Sequence, residues 1–285
     1  MGLDATVMCS CIKKGLIIPC EFKDIFEIDE EGYPSLTIDY EGNELIHQKF
    51  DEWIANSCPH EDMEMAYERI SNWYGVRVFQ NTLFNLNKNN RFETLLSEIP
   101  EANGGVTTPK NARKMLEELN IFLTFDTFSK KHVLVNEQSS EEIWEYVPQY
   151  EGRMILSGSE GVNLGIDENG FFIETDKGME LFRSNRFKQN LNNRGITERH
   201  GSAEVQYTDL NDGSTFTCSS AISGKQIQWD DGNWENEKGQ VRFEYPENFK
   251  TEVKEREPGE FRYIIEPLKI ICEASIETDN PIRWC

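Results

Sequence analysis

Three thiols and an imidazole fall within two short stretches of this chain: Cys9 and Cys11 near its start, and Cys58 and His60 in Ser57-Cys58-Pro59-His60-Glu61-Asp62. Zinc takes thiolates and imidazoles, commonly four of them in a tetrahedron. Cys9, Cys11, Cys58 and His60 therefore make a complete candidate ligand set, provided the fold brings the two stretches together. The spacings C-x-C and C-x-H differ from the paired C-x-x-C knuckles of most zinc modules, and small cysteines packed on a core strand account for the same residues. Cys58 has a second chemistry open to it. At a helix N-terminus the macrodipole favours a thiolate, and His60 beside it would help to make a nucleophile, whereas Glu61 and Asp62 oppose that shift. The chain is expected to need no cofactor, zinc being the one ion this set would take.

Positioning these side chains is the task of the first elements. A strand over residues 4 to 12 would alternate faces, placing Ala5, Val7, Cys9 and Cys11 on one side and sending both thiols the same way. Ser57 reads as the cap of a helix whose first turn holds Glu61 and Asp62. Its apolar stripe would be Met63, Ala66, Tyr67, Ile70, Trp73 and Tyr74, with Gly75 just past its end. Before it, Leu45, Ile46, Phe50, Trp53 and Ile54 recur at helical spacing. After it, Val78 to Leu86 and Phe92 to Ile99 predict two more helices, and Ala102-Asn103-Gly104-Gly105 a turn. Thr108-Pro109 starts a further helix buried through Ala112, Met115, Leu116, Leu119 and Phe122.

Beyond Pro148 the texture changes to short alternating runs. Val162 to Ile166 with Phe171 to Thr175, and Ala203 to Tyr207 with Thr215 to Cys218, read as hairpins around Asp-rich and Gly-rich turns. Gln240 to Tyr245 and Phe249 to Lys254 add two strands around Pro246. From Pro258 a helical period returns, with Phe261, Ile264, Ile265, Leu268, Ile271, Cys272 and Ile276 on one face and Pro267 expected to bend it. The expected fold is α+β: a mainly helical region with an N-terminal strand (1–149), an antiparallel β-rich region (150–257), and a C-terminal helix and tail (258–285) packing back on the first.

Composition limits the function. The 51 acidic against 29 basic residues give a formal charge of −22, which repels phosphate backbones and anionic lipid; no direct nucleic-acid or membrane binding is expected, while a basic protein partner is. Hydrophobic residues are 38% of the total, enough for a core despite a mean hydropathy of −0.61. No apolar run reaches the roughly 18 residues of a membrane span. No basic and apolar leader opens the sequence, and seven cysteines are an odd number, so a cytoplasmic chain of reduced thiols is expected. Met1-Gly2-Leu3-Asp4-Ala5-Thr6 fits the myristoylation pattern but lacks the second signal that stable anchoring needs.

Other constellations are incomplete. Asp167-x-Asn169-Gly170 starts like a calcium loop without its length or final Glu, and Gly158-Ser159-Glu160-Gly161 lacks the Lys-Ser/Thr of a phosphate cradle. H-E-x-x-H, G-x-S-x-G and G-x-G-x-x-G are absent. His47, His132 and His200 stand alone. Asp230 and Asp231, flanked by Trp229 and Trp234, form a candidate partner surface that Arg183, Arg186 and Phe187 would extend, with aromatic core packing as the alternative.

Three stretches carry a resemblance. The opening Met1-Gly2-Leu3-Asp4-Ala5-Thr6-Val7 with Cys9-x-Cys11, the Cys58-Pro59-His60-Glu61 element, and the close on Asn280-Pro281-Ile282-Arg283-Trp284-Cys285 resemble an uncharacterised bacterial family of soluble cytosolic proteins. The resemblance implies a cytosolic bacterial protein and carries over no catalytic residue. Three functional classes follow: an acidic interaction protein such as an immunity, antitoxin or defence-associated component binding a basic partner; a zinc- or thiol-dependent enzyme centred on Cys9, Cys11, Cys58 and His60; and a DNA-mimic inhibitor.

Overall fold

The computed structural model describes residues 2–29, 32–126, 128, 130–147, 154–159, 161–191, 196–198 and 204–285. Helices, antiparallel sheets and a C-terminal helix make a mixed α+β protein. Its chain divides into two compact units, residues 1–129 with 257–285, and residues 130–256. The second unit begins at Lys130. Lys130–Asn136 and Glu142–Glu145, which lie in the region expected to be mainly helical, are strands of this β-rich unit.

The first unit is built on a four-stranded sheet in the order Glu64–Asn72, Gly2–Met8, Ile282–Trp284, Val106–Thr107, antiparallel throughout. The start of the chain is therefore central in the sheet, with the C-terminal strand beside it: Asp4 and Cys285 exchange backbone hydrogen bonds of 3.1 and 2.8 Å. Leu3, Ala5 and Val7 alternate along the N-terminal strand and are fully buried. The helices Trp73–Leu86 and Arg262–Thr278 pack on this sheet, and Pro109–Phe122 packs on the second of them. Phe79, Phe92, Phe122, Phe128 and Phe261 meet in one aromatic cluster, Phe122 stacking on Phe128 with ring centres 4.5 Å apart. Thr108 caps its helix as expected, Oγ1 accepting from the Asn111 amide at 3.3 Å, with Pro109 in the first turn.

Two expectations fail here, and both concern the ligand-bearing stretches. Residues 61 to 72 are not an α-helix. Glu61–Met63 is a single 3-10 turn, and Glu64–Asn72 is a strand paired with Gly2–Met8. The apparent stripe at i, i+3, i+4 is not one face, since Ile70 is buried while Tyr67 is exposed. Pairing with the central strand overrides a pattern that satisfied helical spacing by coincidence. Asn72 is instead the cap of the next helix, its Oδ1 accepting from the Gly75 amide at 2.7 Å, so Gly75 lies in the first turn of a helix and does not end one.

The N-terminal strand also stops earlier than residue 12. It ends at Met8, and Cys11–Lys14 is one helical turn closed by Gly15 in the left-handed region at φ 64°, a conformation glycine adopts without penalty. Both thiols remain buried, but Cys9 follows the last residue of the strand and Cys11 sits in the turn, so the pleat of one strand does not direct them both.

The second unit holds a six-stranded sheet in the order Thr215–Cys218, Val205–Asp209, Arg186–Leu191, Asn248–Glu255, Lys130–Asn136, Glu142–Glu145. With it come a four-stranded sheet Glu180–Ser184, Gly170–Thr175, Val162–Asp167, Met154–Ser159 and a three-stranded one Ile196–Glu198, Gln240–Glu244, Lys225–Ile227. Both expected hairpins form, the first turning at Gly170 with φ 116°. Gln240–Glu244 and Asn248–Glu255 are strands too, yet Pro246 sends them into different sheets. Phe171 stacks on Phe187 with ring centres 4.3 Å apart, and Tyr207 and Phe249 complete this core.

One acid-sensitive device belongs to this unit. Glu142 receives Lys131 at 2.8 Å and Lys254 at 3.2 Å. Burial works to raise its carboxyl, but the two ammonium groups prevail and hold it below the ordinary value of 4.5. A carboxyl lowered by folding contributes stability above its unfolded value and loses it as the pH falls. Urea unfolding of the second unit from neutrality down through about pH 4 should therefore weaken more steeply for the native chain than for Glu142→Gln; equal slopes would remove the pair from the acid response.

Candidate metal centre

The end of the N-terminal strand delivers Cys9, the following turn delivers Cys11, and the loop after the helix Glu44–Asn56 delivers Cys58 and His60. Backbone bonds tie these pieces together. The Cys9 amide donates to Met63 O at 2.7 Å, Ile18 N donates to Ser57 O at 2.8 Å, and Leu16 N donates to Cys11 O at 2.9 Å. Asp62 and Met63 both lie in the left-handed region, at φ 47° and 58°. Such backbone is strained for residues with a side chain. Here the bend turns Met63 fully into the core against Met8, Cys9 and Cys11.

The side chains converge. Cys9 Sγ lies 3.7 Å from Cys58 Sγ, Cys11 Sγ lies 3.4 Å from His60 Nδ1, and Cys58 Sγ lies 3.8 Å from the same nitrogen. All four ligand atoms fall within 4.8 Å of one another. Bond lengths of about 2.3 Å to sulfur and about 2.0 Å to nitrogen in a tetrahedron require ligand separations of about 3.8 Å between sulfurs and about 3.5 Å between sulfur and nitrogen. The residues thus fit a zinc ion. Among the described residues no other group of metal-ligating side chains gathers in this way.

The surroundings are apolar: Ile12, Ile17, Trp53, Ile54 and Met65 pack around the buried methionines and cysteines. Burial pushes the Cys9 thiol up to about 12, so without a cation Cys9 is a neutral thiol at neutral pH. A cation reverses that balance, because it holds thiolates directly. Among the described residues, the buried side-chain oxygens without a partner are those of Tyr33 and Ser57. Tyr33 packs against this cluster and Ser57 precedes Cys58.

The reactive-thiol reading of Cys58 loses its premise. No helix starts at Ser57 or Cys58, because one 3-10 turn runs into a strand, and a single turn has no macrodipole to favour a thiolate.

Asn280 touches the backbone beside this cluster, a contact that spacing did not reveal. It is 5% exposed, and its Nδ2 donates to Met8 O at 2.8 Å and Cys9 O at 3.0 Å. An Asn before Pro marks a turn; nothing in that signal says which distant carbonyls the side chain reaches.

The second candidate surface lies apart in the chain. Trp229 donates from Nε1 to Gln240 O at 3.2 Å and is half-buried, while Trp234 is 54% exposed. Asp231 accepts from the Asn233 amide and side chain at 3.1 Å, which holds its carboxyl below its ordinary value, and fully exposed Asp230 lies 3.7 Å from Arg242. Arg183 and Phe187 do not join them. Arg183 grips Asp167 at 2.8 and 2.9 Å and also Glu180, and Phe187 is core. Arg186 pairs with Glu137 at 2.8 Å.

Asp167 also accepts from the Asn169 amide at 2.8 Å, the bond of a hairpin turn and not of a calcium loop. Of the lone histidines, His47 contacts Ile38 O at 3.2 Å, His132 lies beside Tyr146, and His200 lies outside the described residues. Among the described residues no helix is long and apolar enough to cross a membrane. No family model, no curated protein and no solved structure matches this chain.

Proposed function

We propose that this chain is a zinc-holding, non-catalytic protein in which Cys9, Cys11, Cys58 and His60 bind one ion that fastens the N-terminal strand to the loop before Glu64. The single observation that carries this reading is the convergence of the four ligand atoms within 4.8 Å. Four protein ligands fill a tetrahedron and leave no position for water or substrate, which is the mark of a structural zinc and not of a hydrolytic one. Purified protein should contain one zinc per chain, and Cys11→Ser should contain none. A native chain free of metal after expression with zinc would contradict the reading.

A second role rests on a separate observation, the exposed Trp234 beside Asp230 and Asp231. An aromatic anchor among acids suits a basic protein partner, as expected of an immunity, antitoxin or defence-associated component. Such a partner should be captured from the native cell by the intact chain, be released by salt, and be lost with Trp234→Ala. Equal capture by that variant would remove the loop from the interface.

A further inference from the structure

The turn that follows the C-terminal helix reaches the ligand loop from the opposite end of the chain. The helix closes at Asp279 in the left-handed region, φ 54°, and Lys13 of the Cys11 turn donates to the Asp279 carbonyl. Asn280 follows, buried, with each polar group of its backbone spoken for: its amide donates to Thr278 Oγ1 at 3.3 Å and its carbonyl accepts from Ser275 Oγ at 2.6 Å. Both hydrogens of its side-chain amide then go to Met8 O and Cys9 O. Those two carbonyls belong to the peptides on either side of the Cys9 Cα, just past the strand's last residue, and together set the direction of the Cys9 side chain. Neither belongs to the ladder with Ile282–Trp284, whose pairing stops at Val7.

We propose that Asn280 is a positioning residue for the metal centre, fixing the Met8–Cys9 backbone so that Cys9 Sγ meets the other three ligands, and that zinc affinity is thereby governed from the C-terminal turn. This rests on the zinc reading above. Groups that orient metal ligands contribute about 10- to 100-fold in affinity although they never touch the ion. A side chain giving hydrogen bonds to two consecutive carbonyls holds the two peptide planes on either side of one Cα, here that of Cys9, and so fixes the direction of its side chain. Linkage makes the effect reciprocal: zinc bound at Cys9 holds Asn280 in place, so removal of the metal loosens the pairing of Ile282–Trp284 as well as the ligand loop.

Cobalt(II) substitution and zinc competition against a chromogenic chelator test this in the full chain. Asn280→Ala should bind zinc about 10- to 100-fold more weakly and shift the cobalt d–d bands, because Cys9 sits wrongly in the tetrahedron. Asn280→Ser, which keeps one donor on a shorter arm, should shift the bands in the same direction and serves if the alanine variant does not fold. Trp284→Phe is the comparison for mere loss of stability. It removes the Nε1 bond to Thr107 Oγ1, 3.0 Å, in the same C-terminal segment, and should lower the melting point while leaving the bands unmoved. Unmoved bands in both Asn280 variants, with affinity no weaker than that of Trp284→Phe, would overturn the positioning role. A native chain that takes up neither zinc nor cobalt would overturn the zinc reading itself, and this proposal with it.

Discussion

A chain that ends at Arg256 should lose the cooperative unfolding of its first unit altogether. The missing residues include Phe261 from the turn before the C-terminal helix, Ile264, Ile265, Leu268 and Ile271 from that helix, and Ile282 and Trp284 from a strand next to the centre of the sheet, all essentially buried. Full burial contributes roughly 1.5 to 3 kcal/mol for each such side chain, and together they exceed about 10 kcal/mol, comparable with the whole stability of a typical domain, about 5 to 15 kcal/mol. Their removal also bares one edge of Gly2–Met8 and leaves Val106–Thr107 without its neighbour. Differential scanning calorimetry should then show the transition of residues 130–256 alone. A truncated chain that melts like the full one would disprove this account of the first unit.

Cys11→Ser should have the second largest effect, and its size separates two readings of the cluster. If the thiols only pack, a buried hydroxyl in place of one sulfur costs about 1 to 3 kcal/mol. If they hold zinc, the variant forfeits a binding energy that reaches about 10 to 16 kcal/mol in zinc-finger peptides, and the first unit unfolds at ordinary temperature. Chelation gives the matching control: a strong chelator should destabilise the native chain to the same degree and leave the variant unchanged. Denaturation curves that differ by no more than a packing defect, with no response to chelator, would favour packing.

What the sequence made legible followed from strong local signals. Thr108-Pro109 named its helix start, and the turn residues around Gly170 and Gly213 named their hairpins. The four candidate ligand residues were readable from type alone, since cysteine and histidine admit few chemistries. How they come together was not. Cys11 points inward because Gly15 closes one helical turn after the strand has ended, and Met63 because two successive left-handed residues bend the loop. Neither conformation leaves a periodic trace. Glu64–Asn72 read as a helix because a half-buried strand beside a long central partner can satisfy i, i+3, i+4 by chance, and only pairing at long range decides between them. Asn280 was invisible for the same reason: its partners lie 272 and 271 residues away.

X-ray absorption at the zinc edge of the purified full chain tests the central claim most directly. The expected spectrum has three sulfur scatterers at about 2.3 Å and one nitrogen at about 2.0 Å, the shell of a closed Cys3His site, from one zinc per chain. A shell of nitrogen and oxygen alone, or protein without zinc, would contradict it.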